Sequence, residues 1–503
     1  MSKRSYLLTK TKITSGLQCK KKLWFDIHQP NENEDSFLFH SGNRFGEVIK
    51  KYYGQGLDLT DIKKDYLKAI ELTNEAINSK DCKVIYEAAF LYHDTLVRTD
   101  VLIRDNESWN LLEAKSSTKL KSEHIPDIAI QAFIARSRIL NLSKIKLIHM
   151  NSDFIYEGNN NYKNLIKEVD ITEEIIAKED KVQNYIKDFK KLTSIKSSSP
   201  EISMGEQCKK PHICIYQEKC RSLLPKTKKV SYEILPNKTK KLQNYCIENK
   251  IVHLEDIPQD IFVNNIHKVI QASHKNNKEW INVDLKMIME KYIWPFYFMD
   301  FETINQGVPI IKGTGPYSSL PFQWSVHEWQ HIDQEIKLEE GKSFLNFDNQ
   351  DIERKFVETL IEAVGSKGTI FAHNAPTEIS VLKKLRDKDS CKDLASKINA
   401  IIDRIEDTLP LVRNNFYHPI MKGEYGIKKI IKSIPSSVNY EEENNIEGGM
   451  GAQLAWFVCT DPNTTNEEKE MQKKLLIEYC AKDTLAIYFL IKYLLKKSNI
   501  KKL

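Results

Sequence analysis

Residues 95–118 read TLVRTDVLIRDNESWNLLEAKSST, and this stretch decides the fold of the first part of the chain. Two apolar runs lie on either side of the polar turn DNES, which predicts a β-hairpin. Side chains alternate along a strand, so Glu113 and Lys115 share one face. The return of the chain places Asp100 near both of them. The sequence therefore predicts two carboxylates and a lysine gathered at one end of a strand pair.

Two interpretations of this group remain open. An isolated E-x-K pair is commonly a half-exposed salt bridge on an edge strand. Two carboxylates and a lysine can also hold a divalent metal, because Mg²⁺ prefers oxygen ligands and the lysine stabilises charge that develops on a phosphate. The amphipathic helix predicted over 124–140 adds Gln131. Upstream, Glu47 lies on a predicted helix and Glu87 on a predicted strand.

The order Asp100, Glu113-x-Lys115 and Gln131 resembles the core of the PD-(D/E)XK nucleases, specifically their RecB-like branch. The resemblance implies a restriction-endonuclease-like α/β domain that uses Mg²⁺ or Mn²⁺. It assigns metal binding to Asp100 and Glu113, the catalytic lysine to Lys115 and the catalytic helix residue to Gln131. Many relatives carry a histidine on the first helix, in the region where this chain has Glu47. Supporting roles therefore fall to two acids, Glu47 and Glu87.

A cysteine triplet follows this region. In GEQCKKPHICIYQEKC, Cys208, Cys214 and Cys220 have C-x5-C-x5-C spacing, wider than the two to four residues usual between zinc ligands. Ordinary buried cysteines are the alternative. Iron–sulfur RecB-like nucleases, including CRISPR-associated ones, use one cysteine before the nuclease core and three after it, and Cys19 with the triplet resembles that arrangement. The resemblance implies a 4Fe–4S cluster on these four thiolates, which would join the two ends of the domain.

A second acidic constellation begins at YFMDFETI (297–304), where Asp300 and Glu302 share one face of a strongly apolar strand. Burying two acids together is costly unless a cation lies between them, so the pair indicates a metal site. A solvent-facing edge pair is the alternative. Further along, the strand TIFAHN meets a helix that carries Glu378. In the late helix over 478–494, Tyr479 and Asp483 are four residues apart and share a face.

These motifs resemble the DEDD exonucleases of RNase H-like fold, in the variant with tyrosine in the third motif. The resemblance implies that the four acids hold two divalent metals about 3.5–4 Å apart, and that Tyr479 positions the attacking water. The family usually has Asp where this chain has Glu378. Asp407, in DTLPLVR, is either a supporting residue or a surface acid. The implied metal ligands are Asp300, Glu302, Glu378 and Asp483.

Both halves in this order, with PYSSLPFQWSVH and DTLPLVRNNFYHP, resemble bacterial proteins classed as domain of unknown function 2779. In these proteins a RecB-like iron–sulfur module precedes an RNase H-like domain. At 503 residues the chain is long enough for two or three domains. We expect an α/β protein with a RecB-like nuclease domain over 1–225, a small helical linker region over 226–290 and an RNase H-like exonuclease domain over 291–503.

Composition is that of a globular protein, with 41% hydrophobic and 29% charged residues. The net charge of +6 is compatible with nucleic-acid binding but is too small to indicate it. The N-terminus MSKRSYLLTK lacks the apolar core of a secretory signal, and no run approaches about 20 apolar residues. We therefore expect a cytoplasmic protein with no membrane contact. Lysine runs lie at 20–22, 226–229, 238–241 and 496–503 and are typical of solvated surface. The two near the domain junction, 226–229 and 238–241, are alternatively sequence-independent phosphate contacts.

Two functions follow from these patterns. The first is a metal-dependent nuclease with two candidate sites that acts on nucleic acid, expected to be DNA, in DNA repair, processing or defence, with partner proteins of those pathways. The second is a nucleic-acid-binding scaffold in which one or both sites are degenerate. Metal-dependent hydrolysis distinguishes them.

Overall fold

The computed structural model shows a mixed α/β chain with several sheets and many helices. It describes residues 6–31, 37–62, 65–139, 141–194, 197–223, 229–347, 352–440, 446 and 448–499. The chain divides into two units. Unit 1 comprises Met1–Lys226 with Gln306–Ser318, and unit 2 comprises Thr227–Asn305 with Ser319–Leu503.

Unit 1 contains a seven-stranded sheet in the order β2-β3-β4-β5-β6-β7, with β1 paired to β4. The pairs β1–β4, β2–β3 and β5–β6 are parallel, and β3–β4, β4–β5 and β6–β7 are antiparallel. The strands are β1 Leu8–Thr9, β2 Leu57–Asp58, β3 Val84–Tyr92, β4 Thr95–Asp105, β5 Ser108–Ala114, β6 Leu142–Met150 and β7 Ile166–Asp170.

The helices of unit 1 pack against this sheet. Helix α5 (His124–Arg136) is buried along most of its length. Its residues Ile128, Ala132 and Ile134 are fully buried in one hydrophobic cluster with Leu102 and Leu111 of the sheet. The helices are α1 Lys10–Gln18, α2 Lys20–His28, α3 Phe37–Tyr53, α4 Tyr66–Asn78, α5 His124–Arg136, α6 Thr172–Ile176, α7 Glu179–Phe189 and α8 Gln217–Ser222.

The β4–β5 hairpin confirms the sequence prediction. Asp105 pairs with Ser108 across a two-residue loop, and Asn106 adopts φ +54°, a conformation that asparagine tolerates well in tight hairpin turns. The paired residues of the hairpin extend from Asp105–Ser108, at the turn, to Val101–Leu112. Asp100 therefore lies one residue beyond the last of them, at the position across from Glu113.

Unit 2 is built on a five-stranded sheet in the order β11-β10-β9-β12-β13, and a separate strand pair joins β14 to β8. The pairs β11–β10 and β10–β9 are antiparallel, whereas β9–β12 and β12–β13 are parallel. Strand β9 is thus central. The strands are β8 Trp280–Ile281, β9 Phe296–Asn305, β10 Ser319–Trp329, β11 Lys342–Leu345, β12 Thr369–Ala372, β13 Ile405–Asp407 and β14 Phe416–Tyr417.

The longest helix of unit 2, α18 (Asn466–Lys497), begins with a capping box in which Thr465 and Glu468 satisfy each other's backbone N–H groups.

Among the described helices, none combines the length and the hydrophobicity that a membrane-spanning helix requires. The helices are α9 Lys240–Glu248, α10 Asn265–Asn276, α11 Leu285–Met289, α12 Ile352–Val364, α13 Pro376–Arg386, α14 Ala395–Ile402, α15 Thr408–Asn415, α16 Ile427–Ile431, α17 Gly448–Thr460 and α18 Asn466–Lys497.

The core of unit 2 lies on both faces of β9. On one face, Phe296 and Phe298 pack with Trp329 and with Tyr488 of α18. On the other face, Met299 is buried in the cluster that α12 completes. Side chains of alternating direction along one strand therefore reach two separate hydrophobic layers. This arrangement fixes the direction in which every side chain of β9 points.

Gly368, just before β12, should not tolerate a side chain. Its φ is +95°, and an added Cβ would lie 2.1 Å from the carbonyl oxygen of Pro295. We expect Gly368→Ala to destabilise unit 2 by about 2 kcal/mol or more, because backbone strain and overpacking each cost about 1–3 kcal/mol. Urea titration combined with hydrogen exchange in peptides from β9 and β12 measures this effect.

Gly426→Ala is the matched control, because an added Cβ there meets nothing within 4 Å. Equal stability of the two variants would contradict the prediction.

Candidate functional site

Three carboxylates converge in unit 2. Asp300 and Glu302 lie two residues apart on β9, so they project from the same face. Asp483 approaches them from α18. One ligand oxygen of each acid lies within 4.8 Å of the other two. Carboxylates packed this closely repel one another unless protons or cations intervene.

Glu378 is close enough to influence the ionisation of Asp300, and Asp407 is close enough to influence that of Glu378. Glu378, in the first turn of α13, is buried, and its Oε2 has no hydrogen-bond partner among the described residues. The Asp407 carboxylate accepts hydrogen bonds from the backbone N–H of Leu409 at 2.9 Å and of Asn374 at 3.0 Å. Asp407 therefore caps α15 and holds the turn from which α13 begins. Asn374, in that turn, has φ +68°.

Burial and mutual repulsion govern the ionisation of these acids. Burial, together with the charges of Asp483, Glu302 and Glu378, raises the pKa of Asp300 well above its ordinary value. Burial and the neighbouring carboxylates raise the pKa of Glu302 to about 8. Burial and Asp407 raise the pKa of Glu378 to about 7. The pKa of Asp483 is also raised, mainly by burial. The cluster therefore favours bound protons or cations at neutral pH.

Two tyrosines face Asp483. The Tyr440 hydroxyl donates a hydrogen bond to Asp483 Oδ1 at 2.6 Å. Tyr479 lies one helical turn before Asp483 on α18 and is 8% exposed; burial and the charge of Asp483 raise its pKa. The Lys428 ammonium lies 4.9 Å from the ring centroid of each tyrosine. The Cys480 thiol contacts Asp300 Oδ2 at 3.7 Å.

The predicted residues of unit 1 also come together. The backbone N–H of Ala114 donates to Asp100 Oδ2 at 2.6 Å. Lys115 Nζ donates to Glu113 Oε1 at 2.8 Å. Glu113 is 1% exposed. The pair is thus a partly buried ion pair beside a second acid, and its strand, β5, lies between β4 and β6 and is not an edge strand.

Sequence reasoning missed two residues here, Lys10 and Asp127. Lys10 Nζ, from α1, donates to Glu113 Oε1 at 3.0 Å and lies 3.6 Å from Asp127 Oδ2. Lys115 also pairs with Asp127. Burial opposes the ionisation of Glu113, but Lys10 and Lys115 outweigh it, so the pKa of Glu113 is lowered. Burial and the charge of Glu113 raise the pKa of Asp100 well above its ordinary value.

Buried polar atoms without a partner occur at Glu113 and on α5, the helix that also carries Asp127. Glu113 Oε2 and both amide atoms of Gln131 are buried and have no hydrogen-bond partner among the described residues. An unsatisfied buried polar group costs about 1–3 kcal/mol, and an ion or a water commonly accounts for it. A metal that binds oxygen ligands therefore fits beside Glu113 Oε2.

The two supporting acids proposed for unit 1 differ in position. Glu47 is exposed on α3 and pairs with Lys50 at 3.3 Å, so it is not brought to the Glu113 group. Glu87 occupies the β3 position across from Asp100, with φ +57°, and pairs with Arg98 at 3.2 Å. Its charge contributes to the raised pKa of Asp100.

The four cysteines named from the sequence lie in one region of unit 1. Cys19 joins α1 to α2, and the adjacent Gln18 donates to the carbonyl oxygens of Gln207 at 2.8 Å and His212 at 2.6 Å. The pKa of Cys214 is raised by burial and by Cys208 and Cys19. The pKa of Cys220 is raised by burial and by the other three thiols. The four thiols are therefore near enough to influence one another's ionisation.

The spacing of these thiols tests which metal group fits. No three of these sulfurs, all of them described, lie within 4.8 Å of one another. Thiolates on one tetrahedral zinc, at about 2.3 Å from the metal, would be about 3.8 Å apart. Aromatic side chains of Phe25, Tyr216 and Trp24 pack around the group. Four thiol donors in one region are a ligand set that iron–sulfur clusters use.

Four residues of the two sites were beyond sequence reasoning: Lys10, Asp127, Lys428 and Tyr440. Each joins its site only through tertiary contact. Lys428 lies in GEYGIKKII, where nothing separates it from the many other lysines of the chain. Asp127 lies on the same predicted helix as Gln131, four residues away, and this shared face is the one signal available.

Comparison with protein families gives one match. The family model described as Domain of unknown function (DUF2779) matches residues 297–426. The match includes Asp300, Glu302, Glu378 and Asp407, and ends before Asp483. It supports the resemblance of this part of the chain to that family. Among curated proteins, no match was found.

Nine chains of solved structures also match. One of them, titled "Crystal structure of SSO0001", is 16% identical, and the alignment covers 45% of this chain and 90% of that chain with a TM-score of 0.22. At that TM-score the likeness supports no structural conclusion.

The stability of metal-free unit 2 should fall as pH rises. In the folded protein, the raised pKa values of Glu302 and Glu378 keep both side chains protonated at pH values where they are ionised in the unfolded chain. Their ordinary pKa, which applies in the unfolded chain, is 4.5. Stability is thus full below 4.5 and falls until the pH passes about 8, by on the order of a few kcal/mol. Thermal unfolding in a chelator across this range measures the fall, and added Mg²⁺ should oppose it.

Glu302→Gln should flatten the dependence of unfolding on pH, whereas Glu339→Gln, at an exposed position, should leave it unchanged. A metal-free wild type whose unfolding temperature rises over this pH range would contradict the prediction.

Proposed function

We propose that this protein is a metal-dependent nuclease with two candidate active sites that hydrolyses phosphodiester bonds of nucleic acid, and we expect that substrate to be DNA. The observation that carries the proposal is the acid cluster of unit 2. Asp300, Glu302 and Asp483 have ligand oxygens within 4.8 Å of one another, and Glu378 acts on the same group. Four carboxylates carry the charge that two divalent cations would balance, as in two-metal phosphodiester hydrolysis.

In unit 2 the proposal is a 3′–5′ exonuclease of the DEDD type on an RNase H-like fold. Divalent ions bound by the acids would polarise the phosphate and lower the pKa of the attacking water. Asp300 and Glu302 would hold them from the central strand, and Asp483 from α18. Tyr479, next to Asp483, would orient the water through its hydroxyl. The mixed sheet, with acids on β9, after β12 and on α18, supports this interpretation.

In unit 1 the proposal is a RecB-like PD-(D/E)XK site. Asp100 and the unpartnered Oε2 of Glu113 would bind Mg²⁺ or Mn²⁺. Lys115, held by Glu113, would donate to a phosphate oxygen, and the buried amide of Gln131 would complete the polar lining. The four cysteines would hold a 4Fe–4S cluster. Its role would be structural, because Cys19 and the triplet come from opposite ends of the unit 1 sequence.

Two observations favour a binding scaffold as the second candidate. In unit 1, Lys10 and Lys115 already pair with Glu113 and Asp127 without a metal. Such a network is stable on its own and needs no catalytic role. Glu378, in place of the usual Asp, favours the same interpretation for unit 2. A nuclease or a scaffold of this kind would serve DNA repair, processing or defence, together with partner proteins.

Cleavage of end-labelled single- and double-stranded DNA and RNA with Mg²⁺ or Mn²⁺ tests the function. We expect wild type to cut, and Lys115→Ala and Asp300→Ala each to remove a different part of the product pattern, because each disables one site. The losses should be about 100-fold or more, as for removal of a group that stabilises the transition state. Matched controls are the exposed Lys121→Ala and Asp389→Ala.

If one substitution abolishes all cutting, the other unit has a binding role. If wild type binds these substrates and leaves them intact with either metal, the nuclease proposal fails and the scaffold replaces it.

Protein purified without oxygen should contain iron and inorganic sulfide, with a broad visible absorption that dithionite bleaches. We expect Cys214→Ser to lose most of this iron, because thiolates are the ligands of such clusters. Cys459→Ser is the matched control, since Cys459 is 7% exposed against 8% for Cys214 and lies outside the set. Zinc in place of iron, or full iron retention in Cys214→Ser, would contradict the assignment.

A further inference from the structure

Lys428 occupies a defined position beside the acid cluster of unit 2. It lies on α16, and its Nζ is 4.9 Å from the ring centroid of Tyr440 and 4.9 Å from that of Tyr479. Both separations are within the roughly 6 Å over which a cation is attracted to an aromatic face. Two rings therefore hold one ammonium. A lysine side chain restricted in this way has already lost much of the rotamer entropy that ligand binding would cost.

The two rings connect Lys428 to the acids without an ion pair. Tyr440 donates its hydroxyl hydrogen to Asp483 Oδ1 at 2.6 Å, and Tyr479 precedes Asp483 by one turn of α18. The charge of Lys428 acts on both Glu302 and Asp483. Nevertheless, Lys428 forms no ion pair with a carboxylate in the described part of the chain, whereas its neighbour Lys429 pairs with Glu424 at 3.8 Å. The Lys428 ammonium is thus available to an anion.

We propose that Lys428 binds the substrate at this site, donating a hydrogen bond to a non-bridging phosphate oxygen of a nucleic-acid strand whose phosphodiester lies over Asp300, Glu302 and Asp483. The proposal rests on the nuclease function of unit 2 and names one residue that recognises the substrate there. Two divalent cations would cancel the charge of the four carboxylates. Lys428 then supplies the remaining positive charge that attracts a phosphodiester and stabilises the charge developing on it.

The competing role for Lys428 is purely structural, as a cation that offsets repulsion among the acids. The two roles differ in what they affect. A structural cation matters most in the metal-free protein, and its loss should lower stability in a chelator with little effect once Mg²⁺ is bound. A phosphate-binding lysine matters when nucleic acid is present. Its loss should change affinity and the dependence of affinity on salt.

The experiment uses the full-length chain with Lys428→Met, Lys428→Arg and the matched control Lys429→Met on the same helix. A fluorescent single-stranded DNA oligonucleotide is bound with Ca²⁺ in place of Mg²⁺ over a series of salt concentrations. We expect Lys428→Met to reduce the slope of log affinity against log salt by about 0.7, the loss of one phosphate contact on a single strand. Lys428→Arg and Lys429→Met should keep the wild-type slope.

Cleavage with Mg²⁺ is measured on the same proteins. We expect kcat/KM to fall about 10- to 100-fold in Lys428→Met, as for a charged hydrogen bond, and to recover largely in Lys428→Arg. The unfolding temperature in chelator and its rise with Mg²⁺ should stay near wild type in both. If Lys428→Met does not fold, Lys428→Gln, which keeps polarity and much of the length, replaces it with the same expectation.

The outcomes separate this inference from the nuclease proposal. If Asp300→Ala abolishes cleavage while Lys428→Met keeps the wild-type slope and kcat/KM, the nuclease stands and the role of Lys428 is overturned. A loss of stability in chelator alone, with both other readouts unchanged, also overturns it. If wild type does not cut, the nuclease proposal fails, and the salt slope alone decides whether Lys428 contacts phosphate.

Discussion

The electrostatic cost of gathering four carboxylates on the central strand of unit 2 and around it constrains the rest of that unit. Neighbouring like charges in a medium of low polarity would push the elements that carry them apart. Strand β9 cannot move away, because β10 and β12 bond to its two edges and hydrophobic layers cover both its faces. Helix α18 is held by the same core through Tyr488 and Leu490. Packing therefore maintains an arrangement that electrostatics opposes.

The two candidate sites deal with buried acids in different ways. In unit 1, Lys10 and Lys115 share one oxygen of Glu113, and the pKa of that acid is lowered as a result. In unit 2 no described cation pairs directly with Asp300, Glu302 or Asp483, and their pKa values are raised. Glu113 is thus ionised, and the two lysines balance its charge without a metal ion. If the proposed metals bind, the unit 2 acids would exchange protons for cations, so metal occupancy there would depend on pH and on metal concentration together.

Local periodicity explains which parts of the sites the sequence could predict. The period of two places Asp300 and Glu302 on one face of a strand, and the period of 3.6 places Tyr479 and Asp483 on one face of a helix. The turn DNES gives the hairpin and brings Asp100 to Glu113.

Other members of the sites depend on distances that no local pattern encodes. Lys10 reaches Glu113 from the first helix, and Lys428 lies beside the tyrosines of the acid cluster only because α16 packs on α18. Glu47 shows the converse: a helix in the expected region carries it, but the helix turns it to solvent, where it pairs with Lys50.

Glu378 shows how backbone position and side-chain length combine at such a site. The turn before α13 is held by Asp407, which accepts from Asn374 N, so the start of that helix cannot shift freely toward β9. Glu378 Oε2 is buried without a described partner, and the residue stands outside the three acids that lie within 4.8 Å of one another. A glutamate has one more rotatable bond than an aspartate at the same position. Its carboxylate would therefore be able to move toward a cation at the proposed site while the turn stays fixed, because the longer side chain extends the reach of a helix that Asp407 keeps in place.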